Sequence, residues 1–165
     1  MMTKKICLLG ASGVGKTSLV GRFVNQIFSD KYLTTIGVKV DKKQIEVNGT
    51  EVKLMVWDLA GEDEIEGINY NYVRGAAGCL LVADGTDPST FDTAMKVHDR
   101  VKEQSGDLPC IMLCNKHDLQ SEWAIKDGEL AELSQRGLRH FNTSAKSGGN
   151  VDEAFAGLAA LTLGS

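Results

Sequence analysis

The sequence lacks any apolar run of the roughly 18–20 residues that a membrane-spanning helix needs. Its N-terminus also lacks a basic segment followed by an apolar signal core, so no secretion is predicted. Positive charge is not in excess: the net charge is −4, whereas proteins that bind nucleic-acid phosphates usually carry a clustered basic face. We therefore expect a cytoplasmic protein with no nucleic-acid partner.

Cysteine is scarce, and its placement excludes two further possibilities. The four cysteines, Cys7, Cys79, Cys110 and Cys114, lie in or beside apolar runs, where a thiol behaves as a small hydrophobic group. We predict that they are buried and reduced rather than part of a disulfide framework. No cysteine stands four residues from the end, so no prenylation box and no direct lipid anchor are evident.

The length of 165 residues matches the usual size of one domain, which is about 100–200 residues. The sequence contains no internal repeat, low-complexity tract or Pro/Gly/Ser linker that would mark a boundary. We therefore expect residues 1–165 to form a single domain that acts as a monomer.

Short apolar runs alternate with helical patterns along the whole chain, which is typical of an α/β fold with a mostly parallel sheet. The runs at 6–9, 79–83 and 110–114 are almost entirely apolar, as expected of central strands covered on both faces. Between 38 and 58, two longer runs are joined by Asn48-Gly49, a dipeptide that favours a two-residue hairpin turn. One strand is therefore predicted to be antiparallel.

The last helical pattern starts near Val151, and its apolar residues recur at helical spacing. Asn150 precedes it, and Glu153 follows three residues later. This spacing predicts a capped helix start, in which side chains satisfy the first backbone amides.

Residues 10–17 read Gly-Ala-Ser-Gly-Val-Gly-Lys-Thr and match the Gly-x-x-x-x-Gly-Lys-Thr phosphate-binding pattern. Glycines let the backbone curl so that its amides point at phosphate oxygens, and the next helix presents its positive end. Lys16 can reach the β- and γ-phosphates, and the Thr17 hydroxyl can ligate Mg²⁺. An ordinary glycine-rich turn is the alternative, but the strand before the loop and the helix after it argue against that. The predicted phosphate site consists of Ser12, Gly13, Val14, Gly15, Lys16, Thr17 and Ser18.

Two further polar segments follow predicted strands: 115–118 follows the apolar run 110–114, and 144–146 follows a predicted strand near 140–143. Ligands bind where loops leave the ends of strands in open α/β sheets. The carboxylate of Asp118 can accept two hydrogen bonds from N1 and N2 of guanine, and adenine offers no such pair of donors. These residues therefore predict selection of guanine.

Taken in order, these motifs resemble those of the Ras superfamily of small GTPases, most closely the Rab branch. The segments that carry the resemblance are 10–17, 34–37, 57–61, 72–76, 115–118 and 143–155. The resemblance implies a P-loop fold with a six-stranded, mostly parallel sheet, one antiparallel edge strand and about five helices on both faces. It also implies a switch that binds GTP and GDP with Mg²⁺, hydrolyses GTP, and acts with effector, GTPase-activating and exchange proteins.

The resemblance assigns roles on the base side. Asn115 ties the base loop to the phosphate loop, the Lys116 stem covers the guanine ring, and the Ala145 amide donates to the guanine oxygen. Phe28 resembles an aromatic residue that stacks edge-on against the base, with a core phenylalanine as the alternative. His117 occupies a variable position and is interpreted as a solvated side chain. The remaining nucleotide-binding residues implied by the resemblance are Tyr32, Leu119, Ser144 and Lys146.

The resemblance also assigns two switches. Thr35 resembles the residue of switch I that ligates Mg²⁺ and senses the γ-phosphate, and Gly61 resembles the switch II glycine whose amide does the same. Asp58 would hold Mg²⁺ through water, which gives Thr17, Thr35 and Asp58 as the predicted metal set. An effector surface would include residues 36–38, Trp57 and Tyr72. For Trp57, an equally weighted alternative is that it simply packs under the hairpin. Val40 stands where an aromatic residue is usual.

The sequence departs from the family at Glu62, where a glutamine normally orients the attacking water. An ionised glutamate only accepts hydrogen bonds, so it cannot donate to the γ-phosphate. With Lys16, Thr35, Gly61 and Glu62 as the catalytic set, we expect slow intrinsic hydrolysis. Protonation of Glu62 or a partner's catalytic residues would restore the rate.

Two alternatives remain open at this point. The first is a GTP-binding interaction module with negligible hydrolysis, which Glu62 suggests. The second is a metabolite kinase. It is the least favoured of the three functions, because such enzymes normally add an arginine-rich lid. The five arginines here are scattered along the chain.

Overall fold

The computed structural model describes residues 1–28, 37–59 and 67–164. Six β-strands and four α-helices occur in these ranges. The strands are β1 (Met2–Gly10), β2 (Val38–Val47), β3 (Thr50–Leu59), β4 (Gly78–Asp84), β5 (Cys110–Asn115) and β6 (Arg139–Asn142). The helices are α1 (Lys16–Asn25), α2 (Pro88–Ser105), α3 (Asp127–Arg136) and α4 (Val151–Thr162).

All six strands form one sheet in the order β2-β3-β1-β4-β5-β6. The β2–β3 pair is antiparallel, and every other neighbouring pair is parallel. The β2–β3 turn uses Asn48 and Gly49, both at positive φ (51° and 80°), as this hairpin type requires. The predicted fold class, with its single antiparallel edge strand, is confirmed.

The helices cover both faces of the sheet. Helices α1 and α4 pack on one face, where Phe23 and Phe155 stack with ring centroids 3.9 Å apart. Helices α2 and α3 pack on the other face. The described residues contain four α-helices rather than about five, together with two short 3₁₀ turns at Tyr70–Val73 and Gln120–Glu122. None of the described helices combines the length and apolarity needed to cross a bilayer.

All four cysteines are buried in the central strands, and none forms a disulfide. Their predicted burial is confirmed. Burial raises the pKa of Cys114 to about 12, and the charge of Glu129 adds to this effect. A thiol with such a high pKa stays neutral at physiological pH and serves as a packing group.

The predicted cap of the last helix is wrong. Asn150 adopts a left-handed conformation, with φ of 59°, and its side chain forms no capping bond. Its Nδ2 instead donates to the backbone carbonyl of Asn142, 2.9 Å away. Asparagine tolerates left-handed backbone better than most residues, so a tertiary contact has replaced the local one.

Candidate nucleotide-binding site

The candidate site lies along one edge of the sheet, where the parallel strands end. β1 ends at Gly10, β4 ends at Asp84 and β5 ends at Asn115. Loops that leave the carboxyl ends of parallel strands meet at the same edge, which is the usual ligand-binding edge of such sheets. The predicted phosphate and base residues are therefore brought together by the topology.

The phosphate loop needs its glycines for space and for backbone conformation. A Cβ atom at Gly10 would collide with the carbonyl oxygen of Val82, and one at Gly15 would collide with Nδ2 of Asn115. Gly13 and Gly15 also have positive φ angles of 79° and 102°. Only glycine adopts this shape without strain, so the loop geometry explains the sequence pattern.

Lys16, near the end of the phosphate loop, points back into the loop. It is buried, and its Nζ donates to the carbonyl oxygens of Ala11 at 3.0 Å and Gly10 at 3.4 Å. Burial lowers the pKa of Lys16 to about 8, and the nearby charge of Asp58 opposes this decrease. The loop thus encloses a cationic donor, which is the group that best stabilises a phosphate oxygen.

Thr17 and Asp58 bring two oxygen ligands together beside this lysine. The Thr17 hydroxyl donates to Oδ2 of Asp58 at 2.6 Å, and Asp58 is fully buried. No cluster of three or more His, Cys, Asp or Glu side chains suited to a metal ion occurs in the described residues. A hydroxyl and a carboxylate fit Mg²⁺, which prefers oxygen and takes its other ligands from phosphates and water.

Asn115 connects the base loop to the phosphate loop. Its Nδ2 donates to the carbonyl oxygen of Val14 at 3.0 Å, and its Oδ1 accepts from the Thr143 hydroxyl at 3.1 Å. Its side chain is buried, so both hydrogen bonds are protected from water. The structure therefore contains the tie between loops that the resemblance implied.

Lys116 makes a second connection between the two loops. Its Nζ donates to the carbonyl oxygen of Gly13 at 3.1 Å and forms an ion pair with Oδ2 of Asp84 at 2.9 Å. Burial alone would raise the pKa of Asp84, but hydrogen bonds from Thr86 and Lys116 outweigh it and lower the pKa. Asp84 is therefore a charged anchor that orients the Lys116 stem.

Asp118 is exposed, and a neighbouring loop fixes its direction. Its Oδ1 accepts from the Ser144 hydroxyl at 2.8 Å, and the Ser144 oxygen in turn accepts from the Ser147 amide at 3.0 Å. The His117 amide donates to the carbonyl oxygen of Thr143 at 3.0 Å. These bonds join 115–118 to 143–147 and hold the Asp118 carboxylate in place.

Three aromatic predictions have different outcomes. Phe28 is half-buried and packs against the core between α1, α4 and the sheet, so both of its interpretations stay open. Trp57 is half-buried, and the Lys5 ammonium lies 3.8 Å from its ring centroid. Trp57 and Tyr72 both pack against the core on the face of the sheet that α2 and α3 cover. His117 is half-buried, with its ring centroid 4.7 Å from that of Trp123 in an edge-to-face arrangement, so the side chain that was predicted to be solvated is also partly packed.

The remaining predicted residues of the site differ in exposure. Ser12, Gly13 and Leu119 are exposed, and Val14 and Ala145 are buried. Four site residues fall outside the described residues: Tyr32, Thr35, Gly61 and Glu62. Their roles remain predictions from the sequence.

Two residues that contact the site were not predicted. Arg22 of α1 donates from Nε to the carbonyl oxygen of Ala145 at 2.8 Å and from its terminal nitrogen to that of Lys146. Asp84 forms the ion pair with Lys116 described above. Asp84 could have been found because it ends an apolar run at the same sheet edge, whereas nothing local distinguishes Arg22 from the other arginines.

Comparison with known proteins identifies the family. The family model described as Ras family matches residues 5–163. The chain is 40% identical over 157 residues to Ras-related protein Rab-13 of Canis lupus familiaris, covering 94% of this chain and 77% of that protein. It is 39% identical over 158 residues to Ras-related protein SEC4 of Saccharomyces cerevisiae, covering 95% and 74%.

The match spans nearly the whole chain, and it agrees with the order of motifs and with the sheet topology. The predicted family, fold class and enzyme class are therefore confirmed. The chain belongs to the Ras family, in its Rab branch, and is a guanine-nucleotide-binding molecular switch that hydrolyses GTP and acts with effector, GTPase-activating and exchange proteins.

Proposed function

We propose that the loops at the carboxyl edge of the sheet bind one GTP or GDP molecule together with Mg²⁺, and that GTP hydrolysis is slow without a partner. The observation that carries this proposal is the pair of contacts between the two loops. Asn115 and Lys116 bond to the carbonyl oxygens of Val14 and Gly13, so a phosphate site and a base site adjoin. A ligand that carries both a polyphosphate and a purine fits this arrangement.

On the phosphate side, the amides of the loop and the ammonium of Lys16 would bind the β- and γ-phosphates. The buried ammonium already lies inside the loop, so little reorganisation is needed when negative charge develops on the transferring group. The chain's proposed phosphate-binding residues are Ser12, Gly13, Val14, Gly15, Lys16, Thr17 and Ser18.

Thr17, Asp58 and Thr35 would hold Mg²⁺. When bound, the ion neutralises charge on the phosphate oxygens and polarises the γ-phosphoryl group. The 2.6 Å contact between the Thr17 hydroxyl and Asp58 supports this assignment, because it places a hydroxyl and a buried carboxylate together beside the phosphate loop. Thr35 enters on the resemblance alone.

On the base side, Asp118 would read N1 and N2 of guanine, and the Ala145 amide would donate to the ring oxygen. The Ser144 hydroxyl supports this by orienting Asp118. The Lys116 stem, held between Gly13 and Asp84, would lie along one face of the ring. Phe28, Tyr32, Leu119 and Lys146 complete the proposed nucleotide contacts.

The switch I and switch II segments would report the γ-phosphate through Thr35 and Gly61. Loss of that group on hydrolysis removes both contacts, so the nucleotide state changes the surface that effectors read. We further propose that Trp57 and Tyr72 contribute to this surface, that residues 1–165 form one domain, and that the protein is monomeric and cytoplasmic.

Slow hydrolysis follows from the charge of Glu62. At roughly 5 Å from a phosphate charge and an effective dielectric near 20, a carboxylate faces about 3 kcal/mol of repulsion per unit charge. It would therefore turn away from the γ-phosphate, leaving the attacking water poorly oriented. Nucleotide and Mg²⁺ binding would be unaffected, since Glu62 takes no part in them.

A single-turnover assay with GTP and Mg²⁺ tests this proposal. We expect Glu62→Gln to hydrolyse GTP at least tenfold faster, since about 1.4 kcal/mol of recovered stabilisation has that effect. Glu46→Gln, an exposed glutamate on β2, is the matched control and should leave the rate unchanged. An equal or lower rate for Glu62→Gln contradicts the proposal. Undetectable phosphate release over hours from both proteins would favour the binding module without useful hydrolysis.

A further inference from the structure

Arg22 contacts a loop of the site, and the proposed function does not assign a role to these contacts. It lies in α1, the helix that follows the phosphate loop, and its side chain extends to the loop at 145–148. Its Nε donates to the carbonyl oxygen of Ala145 at 2.8 Å, and a terminal nitrogen donates to that of Lys146. One guanidinium therefore binds two consecutive peptide groups.

The stem of Arg22 also packs on this loop. A Cβ atom at Gly148 would lie 3.6 Å from Cδ of Arg22, so the methylene groups pass directly over this glycine. Within the loop, the Gly148 amide donates to the carbonyl oxygen of Ser144 at 2.8 Å. The loop thus has its own internal bond, and Arg22 connects it to the helix of the phosphate loop.

The shape of the guanidinium explains why an arginine suits this position. Its donors are fixed in a planar fork, so two bonds restrain both the position and the tilt of the peptide groups that accept them. A lysine ammonium is a compact point charge. It would reach one of these carbonyl oxygens without fixing the plane of the peptide group. The restrained carbonyl of Ala145 belongs to the same residue whose amide is proposed to meet the base.

We propose that Arg22 is a positioning residue for base recognition: it holds 145–146 so that the Ala145 amide donates to the six-position oxygen of the purine. This inference rests on the proposed function, because it presumes a guanine nucleotide at the site. It assigns to α1 a part in base selection in addition to its part in phosphate binding.

This role predicts which ligands are affected. Hypoxanthine keeps the six-position oxygen of guanine and loses the N2 amino group, whereas 2-aminopurine keeps the amino group and lacks that oxygen. Loss of Arg22 should therefore weaken the binding of GDP and of inosine diphosphate by the same factor. Binding of the diphosphate of 2-aminopurine riboside should be unchanged, because this ligand has no oxygen for the Ala145 amide.

The experiment is equilibrium binding of these three diphosphates to the full chain in the presence of Mg²⁺, by competition with a fluorescent guanine nucleotide. For Arg22→Ala we expect about tenfold weaker binding of GDP and inosine diphosphate, the effect of losing one well-oriented hydrogen bond to the ligand. Arg22→Lys should bind GDP and inosine diphosphate about threefold more weakly than the wild type does. Arg139→Ala, at an exposed position of β6, is the matched control and should bind all three as the wild type does.

Two results would overturn the proposal: an equal loss for all three ligands, which indicates general loosening, or unchanged GDP binding by Arg22→Ala. Melting temperatures identify any variant that fails to fold, and Arg22→Lys then carries the test with the same pattern of ligands at smaller amplitude. ADP is titrated against the wild type in the same assay, so failure of the proposed function is distinguishable: the wild type itself would then show no preference for GDP over ADP.

Discussion

The phosphate loop and the base loops lie side by side at one edge of the sheet, yet they are built in opposite ways. The phosphate loop is one continuous stretch, 10–17, whose shape depends on glycine backbone. The base loops join 115–118 to 143–147, and side chains hold them together. One half is therefore local in the sequence, and the other exists only after the chain has folded.

The two halves are nevertheless coupled. The contacts of Asn115 with Val14 and of Lys116 with Gly13 join positions that are 101 and 103 residues apart in the chain. A disturbance of the phosphate loop should therefore reach the base loop, whereas a change in the base loop should leave the glycine-determined phosphate loop largely intact. Variants on each side test this asymmetry.

Gly15→Ala should have the largest effect, because it disturbs both halves at once. The new Cβ collides with Nδ2 of Asn115 and places alanine at a φ of 102°. Strain of about 1–3 kcal/mol and an unsatisfied buried amide of similar cost together predict about a thousandfold weaker GDP binding. Calorimetric titration with GDP measures this loss.

Gly137→Ala separates collision from backbone strain. Gly137 ends α3 with a φ of 69°, and nothing lies within 4 Å of a Cβ atom built there. This variant should lose about 1 kcal/mol of unfolding free energy and keep wild-type affinity for GDP. If both variants bound GDP equally well, the packing of Gly15 against Asn115 would have no role in the site.

Ser144→Ala should have an intermediate effect confined to the base half. It removes the hydroxyl that donates to Oδ1 of Asp118 and accepts from the Ser147 amide. Loss of about 1 kcal/mol, typical of one hydrogen bond, predicts about fivefold weaker GDP binding in the same titration. Ser105→Ala, exposed at the end of α2, is the control. Wild-type affinity in Ser144→Ala would show that Asp118 needs no support from this hydroxyl.

Asp84→Asn should have the smallest effect, seen in the pH dependence of stability. The pKa of Asp84 is lowered in the folded protein, so its carboxylate stabilises the fold above the unfolded pKa of about 3.9. This contribution is lost as the pH falls through the lower, folded pKa. Urea unfolding between pH 7 and 3 should therefore show a shallower acid-side decrease for Asp84→Asn than for the wild type.

The control for this prediction is Asp107→Asn, at an exposed position beyond α2. It should follow the wild-type curve more closely than Asp84→Asn does. A curve for Asp84→Asn that is as steep as the wild-type curve would mean that the ion pair with Lys116 and the bonds from Thr86 add nothing to acid stability.

The sequence predicted those parts of the fold and site that depend on local chemistry. The Asn48-Gly49 turn was predicted because few dipeptides adopt two successive positive φ angles. The phosphate loop was predicted because its glycine spacing is typical of a loop that binds phosphates. Asn150 shows the limit of local reasoning. Its side chain was expected to cap the helix, but its side-chain amide donates instead to the backbone carbonyl of Asn142, eight residues away.

The unpredicted residues share a physical cause. Arg22 reaches Ala145 across 123 residues of sequence, and an arginine on a helix surface has many partners open to it. Only the packing of α1 beside the loop after β6 selects one of them. Asp84 differs, since its place at a strand end brings it to the ligand-binding edge, where a search of strand ends would have found it.

The central claim is that the phosphate loop and the Asp118 loop bind a single guanine nucleotide. Its most direct test is calorimetric titration of the full chain, after removal of any co-purified nucleotide, with GDP and with ADP in the presence of Mg²⁺. We expect one site per chain for GDP and binding of ADP that is weaker by about 10⁴-fold, because a site built to hydrogen-bond one base leaves its polar groups unpaired with the other. Equal affinity for the two nucleotides, or no heat with GDP, would contradict it.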